Sequence, residues 1–342
     1  MTWLGLDIGG ANLKAADGAG WARSVPFALW REPQNLAAQL KALIDGGPPA
    51  ERLAVTMTGE LCDCFSSKSD GVRHILAAVE CAAGGRQVWA YQVDGRFVSP
   101  DEASKSPLLA AASNWHALAA FAGRYVPSGA ALLIDIGSTT TDVIPLLDGQ
   151  VTAEGSNDLQ RLASSELLYR GVKRTPICAV CQSLPWDGRK CQTAAEFFAT
   201  TADAYVLLGM LDEEPDASWT ADGKPLTTGH AEQRLARQVC ADASELEAGA
   251  IYEIAVAVRD AQLSDLARAI RFVAKRLPEA PQTLLLSGCG AFLATIATWI
   301  LPGTRHRSLK AEIGAEISDC APAHAVAVLA KEREIAGELR LD

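Results

Sequence analysis

The 342-residue chain is predicted to be an α/β protein of two related lobes, each a mixed sheet covered by helices. Three observations predict this. One phrase occurs twice, as Leu4-Gly5-Leu6-Asp7-Ile8-Gly9-Gly10-Ala11-Asn12-Leu13-Lys14 and as Leu133-Ile134-Asp135-Ile136-Gly137-Ser138-Thr139-Thr140-Thr141-Asp142. Strand-like and helix-like patterns alternate along the chain. The length exceeds that of one typical core, and 49% of the residues are apolar, enough for two.

The first lobe, residues 1–128, opens with strands at Trp3 to Asp7, Leu13 to Asp17 and Trp21 to Leu29, with Gly18 and Gly20 marking a turn. Leu36, Leu40, Leu43 and Ile44 share one helical face, and Gly46-Gly47-Pro48-Pro49 ends that helix. A buried strand at Leu53 to Met57 follows, then a helix over Asp70 to Ala83 and a strand from Gln87 to Val93. The alanine-rich stretch from Pro107 to Tyr125 reads as one long helix, and Pro127-Ser128-Gly129 as a hinge.

The second lobe, residues 129–319, restarts at Ala130 with the same order of strand, glycine loop and strand. Thr141 to Leu147 is the second strand, Asp148-Gly149 a turn, and Gln150 to Ala153 a return strand. Prolines, glycines and cysteines then separate short helical pieces, an insertion spanning about residues 156–245. Helices are predicted at Ala231 to Cys240 and Glu247 to Lys275. The apolar strand Thr283 to Leu286 runs into a third glycine turn, Ser287-Gly288-Cys289-Gly290, which favours an anion or a nucleotide's sugar and base. A last helix, within residues 320–342, is expected to pack back on the first lobe.

The repeated phrase is suited to a phosphate chain and its metal. Glycines let a backbone bend until its N–H groups face an anion, so Gly9, Gly10 and Asn12 in one loop and Gly137, Ser138, Thr139 and Thr140 in the other are candidate phosphate contacts. Asp7 and Asp135 each offer an oxygen to a hard cation such as Mg²⁺, and Lys14 follows its loop at a place where an ammonium neutralises phosphate. Gly288 and Gly290 extend the candidate binding set. Asp142 either braces the second loop or acts on substrate.

A net charge of −10, with no basic run longer than Arg305-His306-Arg307, argues against nucleic acid and against a membrane surface. No apolar stretch approaches about 18 residues and the chain begins directly with a strand, so a cytoplasmic protein is expected. The nine cysteines favour free thiols, with Cys81, Cys240, Cys289 and Cys320 in or near the core. Cys62, Cys64, Cys178, Cys181 and Cys191 offer thiolates to zinc but lack a second correctly spaced pair. The five histidines are isolated and receive no chemical role, and no motif sets an oligomeric state.

The duplicated loops and the Ser287-Gly288-Cys289-Gly290 turn resemble the actin, sugar kinase and Hsp70 superfamily, and within it the hydantoinase/oxoprolinase-related branch. More narrowly, Asp7 to Lys14, Met57-Thr58-Gly59-Glu60-Leu61, Ser113-Asn114-Trp115, Asp135 to Asp142, Tyr169-Arg170-Gly171-Val172, Arg174-Thr175-Pro176 and Ala199-Thr200-Thr201-Ala202-Asp203 resemble tetrahydromethanopterin-linked C1-transfer proteins, a family with members in methanofuran biosynthesis. The resemblance implies a two-lobed, actin-like (ribonuclease H-like) fold. It also implies condensation of an aminomethylfuran-methyl diphosphate with a tyramine- or tyrosine-derived phenol, releasing pyrophosphate. Arg170, Arg174 and Asp203 would then contact these small-molecule substrates. A phenol of pKa about 10 needs a base, for which Glu60, Asp142 and Asp203 are the candidates.

Two alternatives stand beside this one. The same loops would hold ATP in a small-molecule kinase or in an amide hydrolase that phosphorylates its substrate, although ATP is not favoured. A non-catalytic nucleotide clamp is the other, and the chain shows neither a peptide-binding domain nor a polymer-forming insertion.

Overall fold

The computed structural model describes residues 2–247 and 249–339. In the first sheet, strands β1 (Trp3–Ile8), β2 (Asn12–Ala16), β3 (Ala22–Pro26), β4 (Arg52–Met57), β5 (Gln87–Tyr91) and β6 (Phe97–Val98) lie in the order β3-β2-β1-β4-β5-β6. β1, β4 and β5 are parallel, and β2, β3 and β6 run against their neighbours.

The second sheet begins with β7 (Ala130–Ile136), β8 (Thr141–Leu147), β9 (Gln150–Val151) and β10 (Leu167–Leu168). A separate hairpin of β11 (Ser183–Trp186) and β12 (Arg189–Gln192) intervenes, and β13 (Thr283–Ser287) and β14 (Arg305–Ser308) complete the sheet in the order β10-β8-β7-β13-β14. The β2-β1-β4-β5 arrangement is therefore repeated as β8-β7-β13-β14, an antiparallel hairpin followed by two parallel strands. This is the duplicated α/β architecture of two related mixed sheets expected from the repeated phrase.

Side-chain alternation divides the core into layers. Leu4, Leu6 and Ile8 of β1 pack with Leu36, Leu40 and Val72 of the helices Leu36–Asp45 and Lys68–Ala82. Leu132, Ile134 and Ile136 of β7 pack with Leu266, Ile270 and Val273 of the helix Ala250–Ala274. Between the sheets, Trp3 of β1 and Leu133 of β7 share one core with the helices Asn114–Ala122 and Ala321–Ile335. The latter helix closes on the first sheet, where Glu334 accepts a 2.7 Å hydrogen bond from the Trp3 indole and pairs with Arg52.

Gly5 makes that approach possible, because a Cβ there would lie 1.9 Å from the Ala323 carbonyl oxygen. Gly5→Ala is expected to destabilise the fold by at least about 2 kcal/mol through forced backbone separation, read as a lowered urea midpoint. An unchanged midpoint would show that the helix shifts without cost.

Three expectations are corrected. The stretch Pro107 to Tyr125 is not one helix: the helix Pro107–Ala110 is followed by a break at Ala112, whose φ of 46° is left-handed, and a new helix starts at Asn114. Tertiary bonding sets the break, since the Ser113 hydroxyl lies 2.7 Å from that of Thr56 on β4. The third strand stops at Pro26, and the backbone instead turns so that the Phe27 and Leu29 N–H groups donate to Ala11 and Gly10. Cys81, Cys240 and Cys289 are exposed, and only Cys320 of that group is buried.

Candidate active site

Period two aims the two aspartates. With Leu6 and Ile8 on one face of β1, Asp7 joins Trp3 and Gly5 on the other, and Asp135 likewise joins Ala131 and Leu133. Each sits one residue before its strand ends, just ahead of its glycine loop. The two hairpins share one register, with Asp7 opposite Lys14 and Asp135 opposite Asp142. The turns are equivalent too: the Gly9 N–H donates to the Asn12 carbonyl at 3.0 Å, and the Gly137 N–H to that of Thr140 at 2.9 Å.

The loops of the two lobes face one another. Burial raises the pKa of Asp7, opposed by the charge of Lys14. Burial also pushes Asp135 up to about 6; Asp142 and Asp7 add to this, while Ser287 and Lys14 oppose it. Lys14 and Asp7 of one hairpin thus act on Asp135 of the other. Ser287 is in register with Asp135, and exposed Cys289 feels Lys173, Asp135 and Lys14, so the third turn borders the same cleft.

At the cleft, Asp7 Oδ1 is buried with no hydrogen-bond partner among the described residues. Buried polar groups are ordinarily satisfied, so such an oxygen marks a place where a ligand can complete the bonding. Among the described residues no three His, Cys, Asp or Glu side chains form a metal cluster. Asp7 and Asp135 fit a cation such as Mg²⁺, which takes one or two carboxylates and fills its shell with phosphate oxygens and water.

The three candidate bases differ sharply. Asp142 accepts from Arg161 Nη2 at 2.7 Å, and that buried guanidinium lies 3.9 Å from the Trp115 ring centroid, so Asp142 is committed to a buried ion pair. Asp203 is 1% exposed, receives the Thr200 N–H at 2.8 Å and is paired with the buried Arg234 at 2.7 Å. It is the N3 residue of a capping box, and its carboxylate is taken up by Thr200 and Arg234, which corrects its expected place at the substrate. Glu60, 1% exposed, is pushed up to about 7 by burial, against hydrogen bonds from its own N–H and the Ala112 N–H and the charge of Lys68, with Asp158 adding. Its neighbour Gly59 lies against the first loop, where a Cβ would come within 3.2 Å of the Ile8 oxygen.

The segment after Tyr169 straps the second loop. The Gly171 position leaves no room for a Cβ, which would fall 2.4 Å from Thr139 N, and the Val172 and Lys173 N–H groups donate to Gly137 and Ser138. Thr175, Thr201 and Gln262 hold Gly171 in place. Arg170 spends its charge on Asp265 and its Nη2 on the Ala179 carbonyl, so its side chain leads away from the loop that its backbone supports. Gly288 (φ 84°) and Gly290 are required sterically, because Cβ atoms there would lie 2.2 Å from the Ile136 oxygen and 2.4 Å from its Cγ2. Their role is to seat the third turn on β7.

Sequence reasoning missed Arg161, Lys173 and Trp30, whose positions depend on pairings distant in the chain. It also missed the Lys68–Asp158 ion pair, 2.8 Å long, which joins the lobes beside Glu60. Because Asp203 is a structural anchor, Asp203→Asn is expected to cost about 3 kcal/mol in unfolding free energy, by weakening the pairing of buried Arg234. The turnover per folded molecule should not change, which active-site-titrated kinetics would check.

A model of the hydantoinase/oxoprolinase family matches residues 51–333. A protein of Methanocaldococcus jannaschii, described as (4-{4-[2-(γ-L-glutamylamino)ethyl]phenoxymethyl}furan-2-yl)methanamine synthase, is 32% identical over 96% of this chain and 98% of its own length. A protein of Methanococcus vannielii with the same description is 28% identical over 58% of this chain and 90% of its own. The fold is similar to that of nucleotide-free acetone carboxylase, with a TM-score of 0.55 at 12% identity, covering 96% of this chain and 70% of the other. The family model covers well over half of the sequence: the chain belongs to the hydantoinase/oxoprolinase family.

Proposed function

We propose that this protein is an enzyme of methanofuran-type cofactor biosynthesis that transfers a furanmethyl group from its diphosphate to a phenol. The observation that carries the reading is the meeting of Asp7 and Lys14 from one lobe with Asp135 from the other, in a chain alignable end to end with a named synthase. The name of that relative describes a phenol oxygen bonded to a furan-bearing methylene, which is the bond the reaction would make.

The furan ring stabilises positive charge on its methylene, so the barrier lies in the departing pyrophosphate. As the C–O bond breaks, its electron pair goes to the pyrophosphate oxygen, and the phenol oxygen supplies the new pair to carbon. Gly9, Gly10, Gly137, Ser138, Thr139 and Thr140 would orient the diphosphate, and Lys14 would offset its growing charge. A Mg²⁺ held by Asp7 and Asp135 would supply further neutralisation when bound. Glu60, the one of the three candidate bases without a salt-bridge partner among the described residues, would take the phenol proton.

The test is a coupling assay with a furanmethyl diphosphate and a γ-glutamyltyramine, tyramine or tyrosine phenol, read by mass spectrometry for the ether and by pyrophosphate release in equal amount. Acceptor-dependent formation of ADP from Mg²⁺-ATP, without ether formation, would overturn the reading in favour of a phosphorylating enzyme.

A further inference from the structure

Trp30 and Arg174 belong to different lobes and hang from the two facing loops. The Leu29 N–H donates to the Gly10 carbonyl at 2.9 Å, so Trp30 follows directly from a residue fixed to the first loop. On the other side the Arg174 N–H donates to the Ser138 carbonyl at 2.9 Å. The guanidinium of Arg174 then crosses to the Trp30 ring, 5.5 Å from its centroid. It also acts electrostatically on Cys62, whose sulfur would lie 2.9 Å from a Cβ on Gly10. The guanidinium is therefore located beside the first loop while its backbone belongs to the second.

Its bonding leaves it available. Arg174 is exposed and, among the described residues, has no carboxylate partner, whereas Arg170, Lys173, Arg161 and Arg234 nearby all do. A guanidinium presents a rigid fork that suits phosphate oxygens, and an indole face holds such a fork without consuming its N–H donors.

We infer that Arg174 is the second cation of the diphosphate site, held across the cleft mouth by Trp30, and that Trp30 is its positioning residue. This rests on the diphosphate reading above. Lys14 would then serve the phosphate chain from the first lobe and Arg174 from the second, so that full charge compensation requires both lobes to be in contact.

Calorimetric titration of the whole protein with inorganic pyrophosphate and Mg²⁺ tests it. Arg174→Ala is expected to weaken binding about ten- to hundredfold, and Arg174→Lys to recover only part of the loss, because an ammonium lacks the fork. Trp30→Ala should weaken binding about three- to tenfold and Trp30→Phe much less, since an aromatic face remains. In the Arg174→Ala background Trp30→Ala should add nothing, a non-additivity that a purely structural tryptophan would not give. Parental affinity in Arg174→Ala, or additive losses in the double variant, would overturn the inference and leave the diphosphate reading standing. Failure of the parent protein to bind pyrophosphate would overturn both.

Discussion

Asp7→Asn and Asp135→Asn are each expected to lower turnover by about a thousandfold while leaving the fold intact. Each substitution keeps the size of the side chain and removes the anionic oxygen that anchors the cation and, through it, the leaving group; preorganised charge of this kind is worth about 10²–10³ in rate per group. The fold should tolerate both. Burial already raises the pKa of each carboxyl, so replacing it with a neutral amide removes a desolvation cost and breaks no ion pair. Asp142→Asn is the instructive contrast, because it leaves the buried Arg161 with a weakened partner and should lower stability. Steady-state kinetics beside urea unfolding separates the cases. The double variant Asp7→Asn/Asp135→Asn should be hardly worse than either single one, since both carboxylates serve one bound group. Full turnover in both single variants would remove these aspartates from the chemistry.

The legible part of this chain is the part written in local terms. An apolar strand, an aspartate and a glycine turn announce themselves, and the period of two then sends Asp7 and Asp135 to the face away from Leu6 and Ile134. The repeat of that phrase was enough to anticipate a repeated sheet order. What escaped was whatever depends on a distant partner. Ala112 breaks a helix-favouring run because Ser113 bonds to Thr56, 57 residues away. Asp203 is anchored by Arg234, 31 residues on, and nothing near Asp203 announces that arginine. β14 was missed because Arg305, His306 and Arg307 show no apolar alternation; pairing with β13 holds this edge strand. Glu60 was visible only as one member of a resembling motif. Its burial without a salt bridge is a property of the packed lobes, and it is what separates this carboxylate from Asp142 and Asp203.

Glu60→Gln is expected to lose turnover and gain stability in the same molecule. The carboxyl is pushed from an ordinary 4.5 up to about 7 by burial, so the folded protein retains a proton that the unfolded chain releases across that window. Stability from this group is therefore present below about pH 4.5 and falls as pH rises to about 7, by a total on the order of 3 kcal/mol. Glutamine cannot titrate. The variant should match the parent near pH 4 and exceed it at pH 8, which urea unfolding at the two values would measure. Turnover should fall by about 10²–10⁴-fold with loss of the proton acceptor. In the parent, the rate should climb as the carboxylate forms on passing pH 7, and the residual rate of the variant should lack that limb. The charged groups that act on Glu60 give a further control: Asp158→Asn should move the limb to lower pH and Lys68→Met to higher pH, because Asp158 opposes ionisation and Lys68 favours it. A variant that keeps the parental pH limb would pass the role of base to another group. A variant no more stable than the parent at pH 8 would mean that the Glu60 carboxylate is solvated or paired in solution. The joint outcome, slower and more stable, is what a carboxylate buried without a salt bridge for its chemistry predicts.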